Sequence, residues 1–267
     1  MKILHLDNNH PLLIEQLSAL GYTNHEDYSG TKEAVQAKIH LYDGIVIRSR
    51  FRLDSTFLKK AVSLKFIARV GAGLENIDTK YAKDIGVALF SAPEGNSNAV
   101  GEHTLGMLLS LFNKLTISDH QVRNGIWQRE SNRGNELYGK TIGIIGFGRI
   151  GQFTAKYALG NGMNVIAFDP FIENISISLD IANQKLDVPI TMCSMDDLLS
   201  KSDFISLHVP MPKDGNALIG SDEFNKMKDG VRIVNAARGG VINEDACLLY
   251  TSPSPRDVEE SRMPSSA

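Results

Sequence analysis

Apolar residues fall along the chain in short blocks, and the stretches between the blocks repeat at helical spacing. Blocks at 2–7, 44–48, 66–70 and 88–91 predict strands, with helices at 11–20 and 55–62 between them. Strands alternating with helices imply a parallel sheet, because parallel neighbours need a long crossover. Asn96, Ser97 and Asn98 then offer the side-chain oxygens that cap a helix, and the pattern over 99–113 predicts a long helix with buried positions. A second series follows, with a helix at 117–127 and a polar arm to Gly139. Beyond it lie strands at 141–145, 164–168, 204–208 and 231–235, helices at 195–200 and 222–228, and the beginning of a helix at 243–246. The fold class expected is α/β, with a domain boundary between the series: 1–98 and 99–246.

The strand at 141–145 breaks into Gly146, Phe147, Gly148, Arg149, Ile150 and Gly151, and then becomes a helix pattern. Each glycine has a separate task. Gly146 allows the tight turn, Gly148 lets the backbone approach a pyrophosphate, and Gly151 lets the helix pack against the strand. The helix N-terminus then faces the phosphates with its unpaired N–H groups. A second apolar strand ends in Asp169, about twenty residues beyond the middle glycine, where a carboxylate accepts from the ribose hydroxyls of NAD and repels the 2′-phosphate of NADP. The cofactor expected is therefore NAD.

Composition narrows the function. A chain of 267 residues with a net charge of −3 gives no reason to expect nucleic acid or an anionic membrane as partner. No run approaches the roughly eighteen apolar residues of a membrane span, and residues 1–7 lack the apolar region of a secretory signal, so the expected setting is cytoplasmic. Cys193 and Cys247 are too few and too isolated for a disulfide framework or a metal site, and the histidines at 5, 10, 25, 40 and 120 show no ligand spacing. No metal is expected, and most of these histidines read as solvated.

Arg238 follows the last strand, with Gly239 and Gly240 permitting a sharp turn, at the edge where ligands of open α/β sheets sit. An arginine there can hold a carboxylate through two parallel charge-assisted bonds. The glycine turn with Asp169, the His208-Val209-Pro210 turn and the stretch from Asn235 to Gly240 together resemble the D-2-hydroxyacid dehydrogenase family, over essentially all of residues 1–246. The resemblance implies a flavodoxin-like substrate domain followed by a Rossmann NAD-binding domain, with the acid held between them. It implies that main-chain N–H groups of Gly71, Ala72 and Gly73 bind the substrate carboxylate. His208, Val209, Pro210, Ala236 and Ala237 then line the cofactor pocket, Arg238 orients the acid, and His103 serves structure. In the family the general acid/base is a histidine paired with a glutamate, both well after Arg238; neither is found in the chain as written. The helix from 99 and the arm at 121–138, with Trp127, resemble the family's dimer-forming elements, so a homodimer or larger homo-oligomer is expected.

Arg48-Ser49-Arg50-Phe51-Arg52 leaves a strand at the ligand-bearing edge of the first sheet, and Arg48 and Arg50 share a side of an extended segment. A second cationic cluster suits a second anionic group on the substrate, phosphate above all. The matching stretch in the 3-phosphoglycerate dehydrogenases of the family is similar, which points to 3-phosphoglycerate and 3-phosphohydroxypyruvate. Glyoxylate or hydroxypyruvate reduction is the alternative, and an NAD-sensing corepressor-like role is the reading from another class. Finally, residues 247–267 resemble the translation of a sequencing adapter and its primer, with Val258, Glu259 and Glu260 in the place of a sample index. On that resemblance the tail is expected to be non-native.

Overall fold

The structure, a computed structural model, describes residues 1–212 and 214–251. The chain divides into two compact units, the first ending at Asn96 and the second beginning at Ser97. In chain order the elements are β1 (Lys2–His5), α1 (Pro11–Ala19), β2 (Thr23–Glu26), α2 (Lys32–Lys38), β3 (Gly44–Ile47), α3 (Ser55–Leu58), β4 (Phe66–Arg69), α4 (Thr79–Asp84), β5 (Ala88–Ser91) and α5 (Glu94–Phe112). Then come α6 (Leu115–Arg123), β6 (Thr141–Ile145), α7 (Arg149–Gly160), β7 (Asn164–Phe168), β8 (Ser176–Ile181), β9 (Gln184–Pro189), β10 (Thr191–Met192), α8 (Met195–Lys201), β11 (Phe204–Leu207), α9 (Ser221–Phe224), β12 (Arg232–Asn235) and α10 (Glu244–Thr251).

In the first unit five parallel strands run in the order β2-β1-β3-β4-β5. The order reverses between β1 and β3, which is the flavodoxin arrangement and opens a crevice beyond the carboxyl ends of those two strands. The strand β3, Gly-Ile-Val-Ile, is buried throughout, as a central parallel strand covered on both faces must be. Ile45, Ile47, Phe57 and Ile67 are wholly enclosed in this core. Each such side chain contributes roughly 1.5–3 kcal/mol by leaving water. Helix starts are fixed locally: Asp54 and Asp78 accept from the N–H groups of Phe57 and Tyr81, at 2.9 and 3.0 Å.

The second unit holds a parallel sheet in the order β10-β7-β6-β11-β12, the Rossmann arrangement, reversing between β6 and β11. Its core lies on both faces of the sheet. Ile142, Ile144, Phe147 and Phe204 anchor one cluster, and Ile145, Leu198, Ile205 and Leu207 the other. No helix among the described residues is long and apolar enough to cross a membrane.

Several boundaries differ from expectation. The helix expected from residue 99 begins at Glu94, so Asn96, Ser97 and Asn98 lie inside its first turns instead of capping it. At the earlier start Glu94 places a carboxylate in the first turn, where the positive end of the helix dipole favours it. The helix expected at 117–127 ends at Arg123, where Gly125 takes a positive φ of 74°. The helices expected at 55–62 and 222–228 are single turns, α3 and α9. An antiparallel hairpin, β8 with β9, stands between β7 and β10 where no strand was expected. Of the five histidines expected mostly to be solvated, His5 is wholly buried, with Nε2 2.8 Å from Asn24 Oδ1. The helix expected to break after Ala246 continues to Thr251, with Tyr250 stacked on Phe224 at 5.6 Å. The rest of the proposed non-native tail, 252–267, lies outside the described residues.

Candidate active site

In the second unit the glycine turn is built as its residue types require. Gly146 has a φ of +88°, and a Cβ on it would stand 2.5 Å from the carbonyl oxygen of His208. Only glycine fits so close to a neighbouring main chain. A Cβ on Gly151 would meet the carbonyl oxygen of Gly146 at 2.3 Å, so the helix packs on the turn itself. Gly148 is the opposite case. A Cβ there would meet nothing within 4 Å, and no side chain caps α7, which begins at the next residue. The turn therefore presents open backbone and a helix N-terminus on one side, the arrangement that receives a pyrophosphate. Phe147 is buried, while Gly148 and Arg149 are exposed and Ile150 half-buried.

Asp169, one residue past β7, reaches back to this turn. Its Oδ2 accepts from the N–H of Phe147 at 2.8 Å, and its Oδ1 from Phe171 at 2.9 Å. Each oxygen keeps a lone pair for a hydroxyl donor. From the facing strand end, His208 places Nε2 3.0 Å from Thr154 Oγ1 and 2.9 Å from Ser206 Oγ. Burial pushes its pKa down to about 4, so the ring is neutral at pH 7, and Nδ1 is enclosed without a partner among the described residues. Val209 packs against the turn, its Cγ1 2.8 Å from a Cβ built on Gly146, and Pro210 is exposed.

The loop after β12 is knitted by Asn235, which accepts from Ala237 N at 3.0 Å and donates to the Arg238 carbonyl at 2.9 Å. Arg238 is exposed and its Nη1 also donates to Ala237 O at 2.9 Å. Ala236 and Asn235 line a cavity of about 460 Å³ with Ala99, Val100, Met107 and His103. His103, read as structural, is exposed on that cavity.

The first unit carries a separate cavity of about 550 Å³ at the carboxyl ends of its strands. Asn8, Asn9 and His10 enter from β1, Arg48 from β3, Val70 and Gly71 from β4, and Ala92, Gly95 and Asn96 from the chain after β5. Arg48 is exposed, and its guanidinium makes no hydrogen bond or ion pair with a described residue. Of the expected loop only Gly71 lines the cavity; Ala72 and Gly73 are half-buried beside it. Arg69 grips the loop from behind, with Nε donating to Arg48 O at 3.1 Å and Nη1 donating to Gly73 O.

Arg50 corrects the expected convergence with Arg48. Its guanidinium turns into the unit and donates to the carbonyl oxygens of Leu6, Asp27 and Gly30, with Asp27 Oδ1 at 3.9 Å and only 15 % of the side chain exposed. Carbonyls at the ends of neighbouring elements need donors, and a forked guanidinium serves three at once. Asn8 and Asn9 belong to no sequence motif, and His10 stands among the histidines without ligand spacing, yet all three line this cavity; a strand end just before Pro11 is the local signal for a ligand-facing loop.

Residues 105–251 match the family described as D-isomer specific 2-hydroxyacid dehydrogenase, NAD binding domain. The chain is 39 % identical over 242 residues to a D-3-phosphoglycerate dehydrogenase of Archaeoglobus fulgidus, covering 88 % of this chain and 44 % of the relative. It is 38 % identical over 215 residues to a hydroxypyruvate reductase of Thermotoga maritima, covering 80 % and 67 %. The chain thus spans less than half the length of the first of these relatives. Among solved structures, D-lactate dehydrogenase from Aquifex aeolicus, complexed with NAD and lactic acid, superposes with a TM-score of 0.76 at 28 % identity, over 93 % of this chain and 72 % of that one.

Proposed function

The chain belongs to the D-isomer specific 2-hydroxyacid dehydrogenase family, its second unit carrying that family's NAD-binding domain, and from this premise we propose that it serves an NAD-dependent dehydrogenase of a D-2-hydroxy acid. In this reading residues 1–96 hold the acid and the residues from 97 onward hold the dinucleotide. Bound NAD supplies the hydride acceptor, and NADH the donor. The chain's own residues bind and orient. Main-chain N–H groups from Gly146 to Gly151 take the pyrophosphate, Asp169 takes the ribose hydroxyls, and Arg238 holds the carboxylate. The neutral His208 lines the turn, its Nε2 already shared with two hydroxyls.

The substrate class rests on Arg48 and the glycine loop. An arginine whose guanidinium has no partner among the described residues, beside a cavity, suits an anionic end distinct from the carboxylate. With the phosphoglycerate dehydrogenase relatives this favours 3-phosphoglycerate and 3-phosphohydroxypyruvate. Hydroxypyruvate is the second reading, and the withdrawal of Arg50 is what favours it: one arginine is a thinner site for a dianion than two. Assembly as a homodimer is supported by apolar side chains on α6 and the arm, where Ile117, Val122 and Trp127 are exposed. A cytoplasmic setting completes the reading.

The observation that carries the proposal is the bond from Phe147 N to Asp169, which sets a carboxylate against the glycine turn. Calorimetric titration of the 267-residue chain with NADH and NADPH tests it. A desolvated like-charge contact costs several kcal/mol, so NADH should bind on the order of a hundredfold more tightly. Equal affinities would refute the assignment of Asp169.

A further inference from the structure

The hairpin of β8 and β9 stands outside both parallel sheets, and among the described residues no strand pairs with the other side of β9. Its two-residue turn, Ala182 and Asn183 at φ of 49° and 64°, fixes which backbone groups point inward. With Ile181 and Gln184 as the closing hydrogen-bonded pair, Gln184, Leu186 and Val188 bond to β8, so Lys185 and Asp187 turn their N–H and C=O groups outward. No described residue bonds to those outward groups. Side chains alternate in step. Ile177 opposite Val188, and Leu179 opposite Leu186, make an apolar face whose inner end packs on the core, whereas Leu186 is 54 % exposed. Lys185 and Asp187 stand on the other face, exposed, and neither side chain has a hydrogen bond or ion pair with a described residue.

An open strand edge is a template for another strand, and a lone lysine on it deters pairing. Here the lysine comes with an aspartate two residues on. A second copy of this edge, running antiparallel, bonds only where outward residues meet outward residues. The turn ends the edge on one side and Pro189, without an N–H, on the other, which leaves three registers. Two of them set Lys185 against its own copy or Asp187 against its own copy, and like charges directly opposite repel. We propose that β9 is a self-association surface on which a second copy of this chain adds its own β9 in the third register, centred on Leu186. Lys185 then faces the partner's Asp187 on both sides of the two-fold axis, and each of these pairs exchanges both main-chain hydrogen bonds. The two Leu186 side chains meet at a position where Cα atoms approach to about 4.5 Å. Such a contact is isologous and closes on itself. Pairing β9 with the outer edge of β8, which carries Ser178 and Asp180, would give one ion pair and an open chain. The surface is separate from α6 and the arm that follows it.

Cysteine trapping and charge reversal test this on the 267-residue chain. In a background of Cys193→Ser and Cys247→Ser, Leu186→Cys should give a disulfide-linked dimer under mild oxidation, because Cα atoms about 4.5 Å apart lie within reach of the bond. Gln184→Cys and Lys185→Cys, whose copies lie more than about 7 Å apart in this register, should crosslink at least tenfold more slowly. Sedimentation over micromolar to millimolar protein reads the equilibrium. Two short strand edges bury less than the roughly 1,200 Å² of a stable interface, so association on the order of 100 μM is expected. Asp187→Lys sets lysine against lysine twice and should weaken it at least tenfold. Lys185→Asp combined with Asp187→Lys restores opposite charges and should recover wild-type association within about threefold. Failure of the α6 contact would leave these differences in place one assembly step lower, so the two surfaces fail separately. All three positions are exposed, circular dichroism verifies folding, and the trapping comparison decides alone if a charge variant misfolds. Trapping at 184 or 185 as fast as at 186, assembly unchanged in Asp187→Lys, or a double variant as weak as the single one would overturn the proposal.

Discussion

Two neighbouring glycines should separate what the turn contributes to stability from what it contributes to binding. In Gly146→Ala the new methyl meets two penalties. A positive φ of 88° costs an L-residue roughly 1–2 kcal/mol, and overlap with the His208 carbonyl oxygen, 2.5 Å away, forces a main-chain shift costing about 1–3 kcal/mol more. The sum, about 2–5 kcal/mol, corresponds to a lowering of the melting midpoint of the second unit by about 5–15 °C. In Gly148→Ala the methyl enters open space at a φ of −68°, so only the poorer N-cap remains, about 0.5–1 kcal/mol. If the turn receives the pyrophosphate as proposed, that same methyl stands in its way, and NADH affinity should fall at least tenfold, about 1.4 kcal/mol. Scanning calorimetry and NADH titration on both variants give the two readouts. If Gly148→Ala binds NADH as the wild type does, the backbone is not the pyrophosphate cradle. If it melts as low as Gly146→Ala, the space beside it is not open.

His208 predicts a pH dependence. Its folded pKa of about 4 lies below the unfolded 6.5, so the unfolded chain binds the extra proton; stability is complete above pH 6.5 and falls by about 3 kcal/mol as pH drops toward 4. Urea midpoints should flatten over that window in His208→Gln, and an unchanged slope would refute the buried neutral ring. Arg50→Ala should lower thermal stability by orphaning carbonyls of Leu6, Asp27 and Gly30, while ligand affinity in a folded variant stays within about twofold; selective loss of phosphate-bearing ligands would return Arg50 to the pocket. Trp127, the single tryptophan and 80 % exposed, should become shielded on self-association. Sedimentation should show a dimer or a larger even oligomer, and a stable monomer at micromolar concentration would contradict the proposed arm contact.

What the sequence disclosed depended on how local the cause was. The glycine turn was legible because its demands, a positive φ and two close backbone approaches, are met by one residue type at fixed spacing. The strands were legible because β3 and β11 are buried throughout and therefore apolar throughout. Arg50 was misread because its partners lie 44, 23 and 20 residues away, and no neighbour announces that three carbonyls need a donor. The β8–β9 hairpin was hidden by its turn: Ala182 and Asn183 both take positive φ, where Asn-Gly or Asp-Gly is the usual signal.

Arg69 uncouples the shape of the cavity wall from the side chain at position 48. It grips the loops after β3 and β4 through the carbonyl oxygens of Arg48 and Gly73, and Asn76 Nδ2 holds the first of these as well, at 3.3 Å. Every amino acid supplies a carbonyl. Position 48 can therefore exchange its side chain while the scaffold that presents it keeps its shape. A substitution at that one site changes the side chain offered to the cavity without removing a hydrogen bond from the framework that presents it.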